Sequence, residues 1–109
     1  MISGSYKDDL ENDTLCEILG FKLSEFGVGI ISGGNAPGKK LGSSFYASML
    51  AENKYDPDKI ITYYRLKENE SRRIVDAFGS VKFFGISLTE MRKEMISKVK
   101  AAIVIGALA

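Results

Sequence analysis

A glycine-rich segment is the part of the sequence best suited to bind a ligand. Residues 32–42 read SGGNAPGKKLG, with four glycines in the ten residues from Gly33 to Gly42. They follow an apolar stretch, Val28–Ser32, and lead into helical spacing near Leu41. Glycines let backbone N–H groups approach an anion, and the start of a helix adds the positive end of its dipole. The segment therefore predicts a phosphate or diphosphate site, and a plain flexible connection is the alternative.

The same segment approaches the P-loop motif without completing it. Gly33, Gly38 and Lys39 have the P-loop spacing, but Lys40 occupies the position at which that motif needs Ser or Thr to hold Mg²⁺. The motif Gly-x-Gly-x-x-Gly is absent, and Arg65 ends the third predicted strand where a dinucleotide fold would have an acidic ribose-binding residue. A degenerate P-loop nucleotide hydrolase therefore remains an alternative function. A dinucleotide-dependent dehydrogenase does not, because its fingerprint is absent.

The composition excludes several classes of site. The 109 residues contain no His, which removes His-based triads, His metal sites and imidazole switches. A single cysteine, Cys16, cannot form an internal disulfide or a Cys-rich zinc site. The 15 basic and 14 acidic residues give a net charge of +1, with no overall basic excess for nucleic acid or an anionic membrane. We therefore expect no nucleic-acid partner and no membrane partner, and any chemistry must come from the backbone, hydroxyls, carboxylates, Lys and Arg.

The chain also lacks the signals of a membrane or secreted protein. No apolar run approaches the roughly 18 residues of a spanning helix, and no charged-then-apolar signal peptide opens the chain. Acidic residues near position 10 could suggest metal ligands, but such charges are typical of a helix start. We expect one cytoplasmic domain over residues 1–109, with no metal and no cofactor.

Hydrophobic spacing predicts strands and helices in alternation. The order is strand, helix, strand, helix, strand, a short helix over Ser71–Phe78, helix and strand, with Val81–Phe84 as a further strand or an extended loop. Asp56–Asp58 reads as a turn, and the continuous apolar run Ala101–Ile105 suits a central parallel strand. This order predicts an α/β fold, a Rossmann-like doubly wound parallel sheet.

Short polar motifs mark the helix boundaries. Thr14 with Glu17 and Ser87 with Glu90 have the spacing of capping boxes at helix starts. Gly27 is a plausible stop for the first helix. In a doubly wound sheet, ligands bind beyond the carboxyl ends of the strands, so the loops after the first three strands are the candidate binding edge.

The sequence resembles a SLOG domain, the superfamily named for a DNA-processing protein and the cytokinin-activating Lonely Guy enzymes. The resemblance covers nearly the whole chain, and it is strongest for the SLOG subgroup attached to SIR2 or TIR domains in bacterial antiphage systems such as the Thoeris effector. The segments that carry it are Ile2–Ser5, Gly27–Gly34 with Gly38 and Gly42, Tyr64–Arg65, Met91–Ile96 and Ala102–Gly106.

The resemblance implies a sensor of a nucleotide messenger, without catalytic residues of its own. Members of this subgroup bind a cyclic ADP-ribose-type nucleotide, and binding activates a linked effector, often a SIR2 NADase. The diphosphate would lie over the glycine-rich segment, with forked contacts from Arg65 and Arg92, and the backbone near Gly4 would approach a ribose or phosphate. The implied ligand-binding residues are Gly4, Ser5, Gly33, Gly34, Asn35, Gly38, Lys39, Arg65, Arg92 and Gly106.

The chain departs from the family pattern at its end. A complete SLOG domain continues past the strand at Ile103–Ile105 into a second glycine-rich loop, and the Lonely Guy pattern Pro-Gly-Gly-x-Gly-Thr-x-x-Glu is absent. We therefore expect a partial domain, either a fragment or a shortened variant that completes its sheet with another chain, as a homo-oligomer or with a SIR2- or TIR-type effector. Exposed apolar residues at Ile103–Ile105 and Leu108 would favour that association. A Lonely Guy-like nucleotide phosphoribohydrolase is the enzymatic alternative.

Overall fold

A computed structural model describes residues 1–56, 61–70 and 79–106. None of the helices in these ranges has the length and apolar character to cross a membrane. The predicted helix at Ser71–Phe78, the residue Leu108 and part of the predicted turn at Asp56–Asp58 lie outside the described residues. The strands are β1 (Ile2–Ser3), β2 (Ile30–Ser32), β3 (Ile61–Arg65), β4 (Ser80–Phe83) and β5 (Ile103–Val104), and the helices are α1 (Leu10–Glu25), α2 (Ala36–Ala51) and α3 (Leu88–Ser97), with a 3-10 turn at Lys67–Asn69.

The five strands form one parallel sheet in the order β4-β3-β2-β1-β5. From β1 to β4 each strand is added on the same side, and β5 then returns to the other side of β1. The predicted α/β fold, a Rossmann-like doubly wound sheet, is confirmed, and the ambiguous segment at Val81–Phe84 contributes β4. Because the direction reverses at β1, the carboxyl ends of β1 and β5 border the point at which such sheets hold ligands.

β5 differs from the central strand that its apolar sequence predicts. It pairs with β1 through Ile103 N–H to Met1 O at 2.8 Å and Ile105 N–H to Ser3 O at 3.1 Å, and with no other strand of the described ranges. Ile105 is buried, whereas Val104 is 48% exposed. The exposed apolar edge is therefore narrower than the sequence predicts, because the Ile105 side chain belongs to the hydrophobic core.

The helices pack on both faces of the sheet. Tyr63 contributes to the core beneath α1 and α2, and Tyr64 contributes to the core beneath α3. This confirms the opposite orientation expected of neighbouring residues in a strand. The first core holds Ile2, Cys16, Ile30, Leu41, Phe45, Met49, Ile61, Tyr63 and Ile105, and the second holds Tyr64, Met91 and Met95.

α1 begins earlier than its predicted capping box. Asp9 is the N-cap, and its carboxylate accepts a hydrogen bond from Asn12 N–H at 3.1 Å. Thr14 lies inside the helix, where its hydroxyl donates to the Leu10 carbonyl at 2.9 Å. The capping-box prediction is wrong because Asp is as good an N-cap as Thr, and acidic residues in the first turn are stabilised by the helix dipole.

Two other predicted helix boundaries, at Gly27 and at Ser87, are confirmed. α1 ends at Glu25, and Gly27 follows with φ of +67°, the left-handed conformation that commonly terminates a helix. Ser87 is the N-cap of α3, and its hydroxyl accepts a hydrogen bond from Glu90 N–H at 3.2 Å. The start of α3 is important because the first turn of this helix lies beside the loop that follows β2.

α1 and α2 approach closely because α1 presents small residues to its neighbour. Cys16, Gly20 and Ser24 are all buried, at a spacing of four residues. A Cβ added at Gly20 would lie 2.5 Å from the Leu41 carbonyl oxygen and 2.9 Å from the Phe45 amide nitrogen. The two helices therefore form one layer whose spacing is set by the backbone.

Replacing Gly20 by Ala is expected to destabilise the protein. In an open helix the same change stabilises by about 1 kcal/mol. Here we expect overpacking to reverse the sign and cost about 1–3 kcal/mol, measured by urea unfolding. Ser43→Ala, on the exposed side of α2, is the control and should stay within about 0.5 kcal/mol of wild type. A Gly20→Ala protein more stable than wild type would contradict the close approach of the helices.

Candidate functional site

The loop after β2 is shorter than the sequence suggests. α2 begins at Ala36, so the loop is Gly33–Asn35 rather than the predicted Gly33–Gly42. Asn35 is the N-cap, and Pro37 lies in the first turn, where a fixed φ and a missing N–H cost nothing. The pattern of Asn followed by Ala-Pro was the sequence signal for this early helix start.

Two polar side chains hold this loop in place. The Asn35 Oδ1 accepts a hydrogen bond from Gly38 N–H at 2.8 Å, and its Nδ2 donates to the Ile2 carbonyl at 3.4 Å. Ser32 is fully buried, and its Oγ accepts from Gly34 N–H at 3.1 Å. Sequence reasoning missed the role of Ser32, which read only as the end of a strand.

The glycines of the segment divide into two groups. Gly33 and Gly34 lie in the loop, whereas Gly38 and Gly42 are buried inside α2. A Cβ at Gly38 would overlap the Ser32 hydroxyl, so this glycine serves the packing of the helix on β2. The sequence predicts that the Gly38 amide is free to bind a ligand. The structure differs, because this amide is used within the protein.

Backbone donors for an anion are therefore few. The amides of Gly34 and Gly38 are used within the protein, and Pro37 has no N–H. In the described part of the chain, the amides of Asn35 and Ala36 make no hydrogen bond, as expected for the unsatisfied first turn of a helix. These two amides, with the positive end of the α2 dipole, form the anion-binding part of the candidate site.

Arg65 lies directly against the loop. Its Nη1 donates to the Gly33 carbonyl and to the Tyr64 carbonyl, both at 3.0 Å, and its guanidinium carbon lies 5.9 Å from the centre of the Tyr63 ring. Gly34 has φ of +79°, and a Cβ there would overlap the guanidinium group. Arg65 thus contacts the glycine-rich loop, at the edge of the sheet where the sequence places both.

The remaining glycines of the candidate site lie at the ends of β1 and β5. A Cβ at Gly4 would overlap the Ile105 carbonyl oxygen, and one at Gly106 would overlap the Ser5 carbonyl oxygen. Gly4 is buried, whereas Ser5 and Gly106 are exposed. The Asn35 bond to Ile2 connects this group to the loop after β2, so both groups belong to one edge of the sheet.

A cleft of about 470 Å³ opens between the β1–α1 connection and the first turns of α2. Lys39 is exposed at this cleft, and the amine of Lys40 forms an ion pair with Glu17 at 3.0 Å. The hydrogen bond with Glu17 raises the pKa of Lys40, so it stays charged and held on α1. The cleft is lined by Tyr6, Lys7, Asp8, Asp13, Ala36, Lys39, Lys40 and Ser43.

Arg92 is a predicted site residue that does not contact the loop after β2. It is exposed on α3 and forms no hydrogen bond or ion pair with any described residue. Its neighbour Met91 is buried, and the Met91 Cε lies 3.9 Å from the position of a Cβ on Gly33. α3 therefore starts near the loop, but the contact is made by the methionine.

A partly buried polar cluster beside the cleft had no clear sequence signal. The Tyr6 hydroxyl donates to Asp13 Oδ1 at 2.6 Å and lies 3.7 Å from the Cys16 Sγ. Burial, followed by the hydrogen bond to Asp13, raises the pKa of Tyr6 well above its ordinary value. Burial also raises the pKa of the Cys16 thiol. Both shifts favour the neutral form of these groups, and Cys16 is a free cysteine buried in the hydrophobic core.

A larger cavity of about 520 Å³ lies at the other end of the strands from the cleft. It is bordered by Met1, by residues 28–31 and by residues 98–101, so it adjoins the amino ends of the strands. Its lining is mostly apolar, and no group of three potential metal ligands occurs in the described ranges. The convergent polar groups are at the carboxyl edge, which is where a doubly wound sheet holds its ligands.

No family model, curated protein or solved structure matches the chain. The candidate site therefore rests on the residues and geometry of this protein.

The contact between Arg65 and Gly34 can be measured by a double-mutant cycle. Gly34→Ala is expected to destabilise the protein because of both the positive φ and the overlap with the guanidinium group. In an Arg65→Ala background only the backbone strain remains, so the cost should fall by about 0.5–3 kcal/mol. Urea unfolding of the four proteins gives this coupling, and additive effects would show that the two residues are independent.

The raised pKa of Cys16 predicts a loss of stability at alkaline pH. The unfolded thiol ionises near its ordinary pKa of about 8.5, whereas the buried thiol remains protonated. The folded state then binds more protons than the unfolded state, so the free energy of unfolding decreases as the pH rises above that value. Cys16→Ala should reduce the decrease between pH 8 and pH 10, measured by urea unfolding. Equal slopes for both proteins would contradict the assignment.

Proposed function

We propose that this chain is a SLOG-type sensor domain that binds an ADP-ribose-derived cyclic nucleotide. The observation that carries the proposal is the start of α2, where the amides of Asn35 and Ala36 face the carboxyl edge of the sheet. Lys39 flanks this start on the side of β1, and Arg65 flanks it on the side of β3. Two amides between two cations fit a diphosphate group.

The electrostatics of α2 support an anionic ligand. A lysine in the first turn of a helix is disfavoured by the dipole, and Lys39 has no ion pair with a described residue to offset this. A bound diphosphate would compensate its charge. Arg65 is held by two carbonyl oxygens, so its charge is fixed at the loop before the ligand arrives.

The rest of the nucleotide would extend along the same edge. The backbone fills the space between the ends of β1 and β5 at Gly4 and Gly106, so a ribose would lie over the exposed Ser5 and Gly106 rather than between the strands. The cleft beside Tyr6 and Lys39 would hold the next part of the ligand. Arg92 would reach the ligand only if its exposed side chain turned toward the loop.

The signalling role comes from the family resemblance. In this proposal the domain has no catalytic activity, is cytoplasmic and transmits ligand binding to a linked or partner effector of the SIR2 or TIR type in antiphage defence. Association through the β5 edge, with another copy or with the effector, would cover the exposed Val104. The ligand contact at α2 and the effector contact at β5 would then lie on neighbouring parts of the sheet.

The enzymatic alternatives have less support from the site. A P-loop wraps a long run of amides around its phosphates, whereas the loop here is the three residues Gly33–Asn35. A Lonely Guy-like hydrolase would need a carboxylate as its acid or base, and of the two carboxylates that line the cleft, Asp8 and Asp13, the second already accepts a hydrogen bond from the Tyr6 hydroxyl.

The proposal predicts that ADP-ribose or a cyclic ADP-ribose isomer raises the melting temperature without being consumed. Lys39→Ala should weaken binding by about tenfold, the loss expected for one charge-assisted contact. Lys54→Ala, at the far end of α2, is the matched control and should bind as wild type does. Isothermal titration calorimetry measures the affinities, and chromatography of the mixture measures turnover.

The outcomes separate the three interpretations. Stabilisation without turnover supports the sensor. Release of a free base from a nucleoside monophosphate would replace it by a phosphoribohydrolase, and Mg²⁺-dependent release of phosphate from ATP would replace it by a P-loop hydrolase. No shift with any of these nucleotides, or equal binding by the Lys39 and Lys54 variants, would contradict the site.

A further inference from the structure

The outer face of α1 is apolar and has no partner among the described residues. Leu15, Ile18 and Phe21 are 43%, 53% and 48% exposed, on the side of the helix opposite its buried small residues. Leu10 and Phe26, at the two ends of the helix, are more exposed still. An apolar stripe of this length on a surface helix is unusual in a protein that functions alone.

The charges along this stripe have a definite order. Glu11, Leu15, Ile18 and Lys22 follow one another at spacings of four, three and four residues, which is the spacing of a helix–helix seam. All four side chains are exposed. The Lys22 amine also lies 3.9 Å from the Glu25 carboxylate, but an exposed pair of this kind contributes little and leaves the amine able to change partner. The stripe therefore has an acidic end, an apolar middle and a basic end.

This order is complementary to itself when two helices run antiparallel. Glu11 of one copy then lies opposite Lys22 of the other, and Leu15 lies opposite Ile18. Each contact occurs twice, as a two-fold interface requires. A parallel arrangement would instead place Glu11 against Glu11 and Lys22 against Lys22, with like charges opposed. Because the complementarity is to the same sequence, a second copy is the partner that the stripe fits.

We propose that the outer face of α1 is a two-fold self-association surface, on which a second copy packs its own α1 in antiparallel orientation. This surface is distinct from the β5 edge and from the amides at the start of α2, so it does not depend on the proposed ligand. A single pair of helices buries little surface, so the dimer forms and dissociates with concentration.

Sedimentation of the wild-type chain over a range of concentrations tests the association. We expect a dimer whose fraction rises with concentration, and Ile18→Asp should weaken this association at every concentration, whereas any association through the β5 edge would remain. Leu50→Asp is the matched control, because Leu50 is 50% exposed on α2, away from the stripe, and this variant should dimerise as wild type does. A strictly monomeric wild type, or equal loss of the dimer in both variants, would overturn the proposal.

Charge reversal tests the antiparallel geometry without removing apolar surface. Glu11→Lys alone places two lysines opposite each other at both ends of the interface, and Lys22→Glu alone places two glutamates there. Each variant should therefore dimerise about tenfold more weakly than wild type. Mixing the two variants brings lysine opposite glutamate at both ends of the mixed dimer, so the mixture should dimerise as strongly as wild type. The double variant, with both reversals in one chain, restores both opposite-charge pairs and should dimerise as strongly as wild type. Single variants that dimerise normally, or a double variant no stronger than either, would overturn the antiparallel contact.

Discussion

The contact of the Arg65 side chain with the backbone of Gly33 and Gly34 fixes the edge of the sheet on which the site depends. Its Nη1 bonds to the Gly33 carbonyl, and its own carbonyl accepts from Phe84 N–H at 2.9 Å, so one residue connects β3, β4 and the loop after β2. The guanidinium group occupies the space that a side chain at position 34 would need. Position 34 is therefore restricted to glycine, and α2 begins two residues later, after its Asn35 cap, with its first amides at the carboxyl edge.

α1 is shared by two surfaces of the molecule. Asp13 borders the cleft beside Tyr6, and Glu11, two residues earlier, belongs to the exposed stripe on the outer face. The inner face of α1 packs against α2 at Gly20. The Ser44 hydroxyl of α2 also donates a hydrogen bond to the Glu17 carbonyl of α1 at 2.6 Å. Movement of α1 would alter the cleft and the stripe together, because the helix is one rigid element.

The sequence predicted the fold class better than the details of the site. Alternating apolar patterns were enough for the parallel sheet, and local glycine and capping signals were enough for the helix boundaries at Gly27 and Ser87. The start of α1 was missed because Asp9 and Thr14 are both good caps, and packing decides between them. The glycine-rich segment was interpreted as a long loop because local pattern does not reveal that Gly38 packs on Ser32, which is a tertiary contact. The Tyr6 cluster joins side chains whose types and spacing match no motif.

The position of β1 in the sheet has a consequence for how the chain folds. β1 lies between β2 and β5, and the Met1 amino group donates to the Ala101 carbonyl at 2.8 Å, across a separation of 100 residues. Such a contact closes almost the whole chain into a loop, and the entropy lost must be recovered by the pairing. During synthesis β1 therefore leaves the ribosome long before its second neighbour, with one edge open until β5 emerges. Slow completion of the sheet, rather than formation of the helices, is expected to limit the rate of folding.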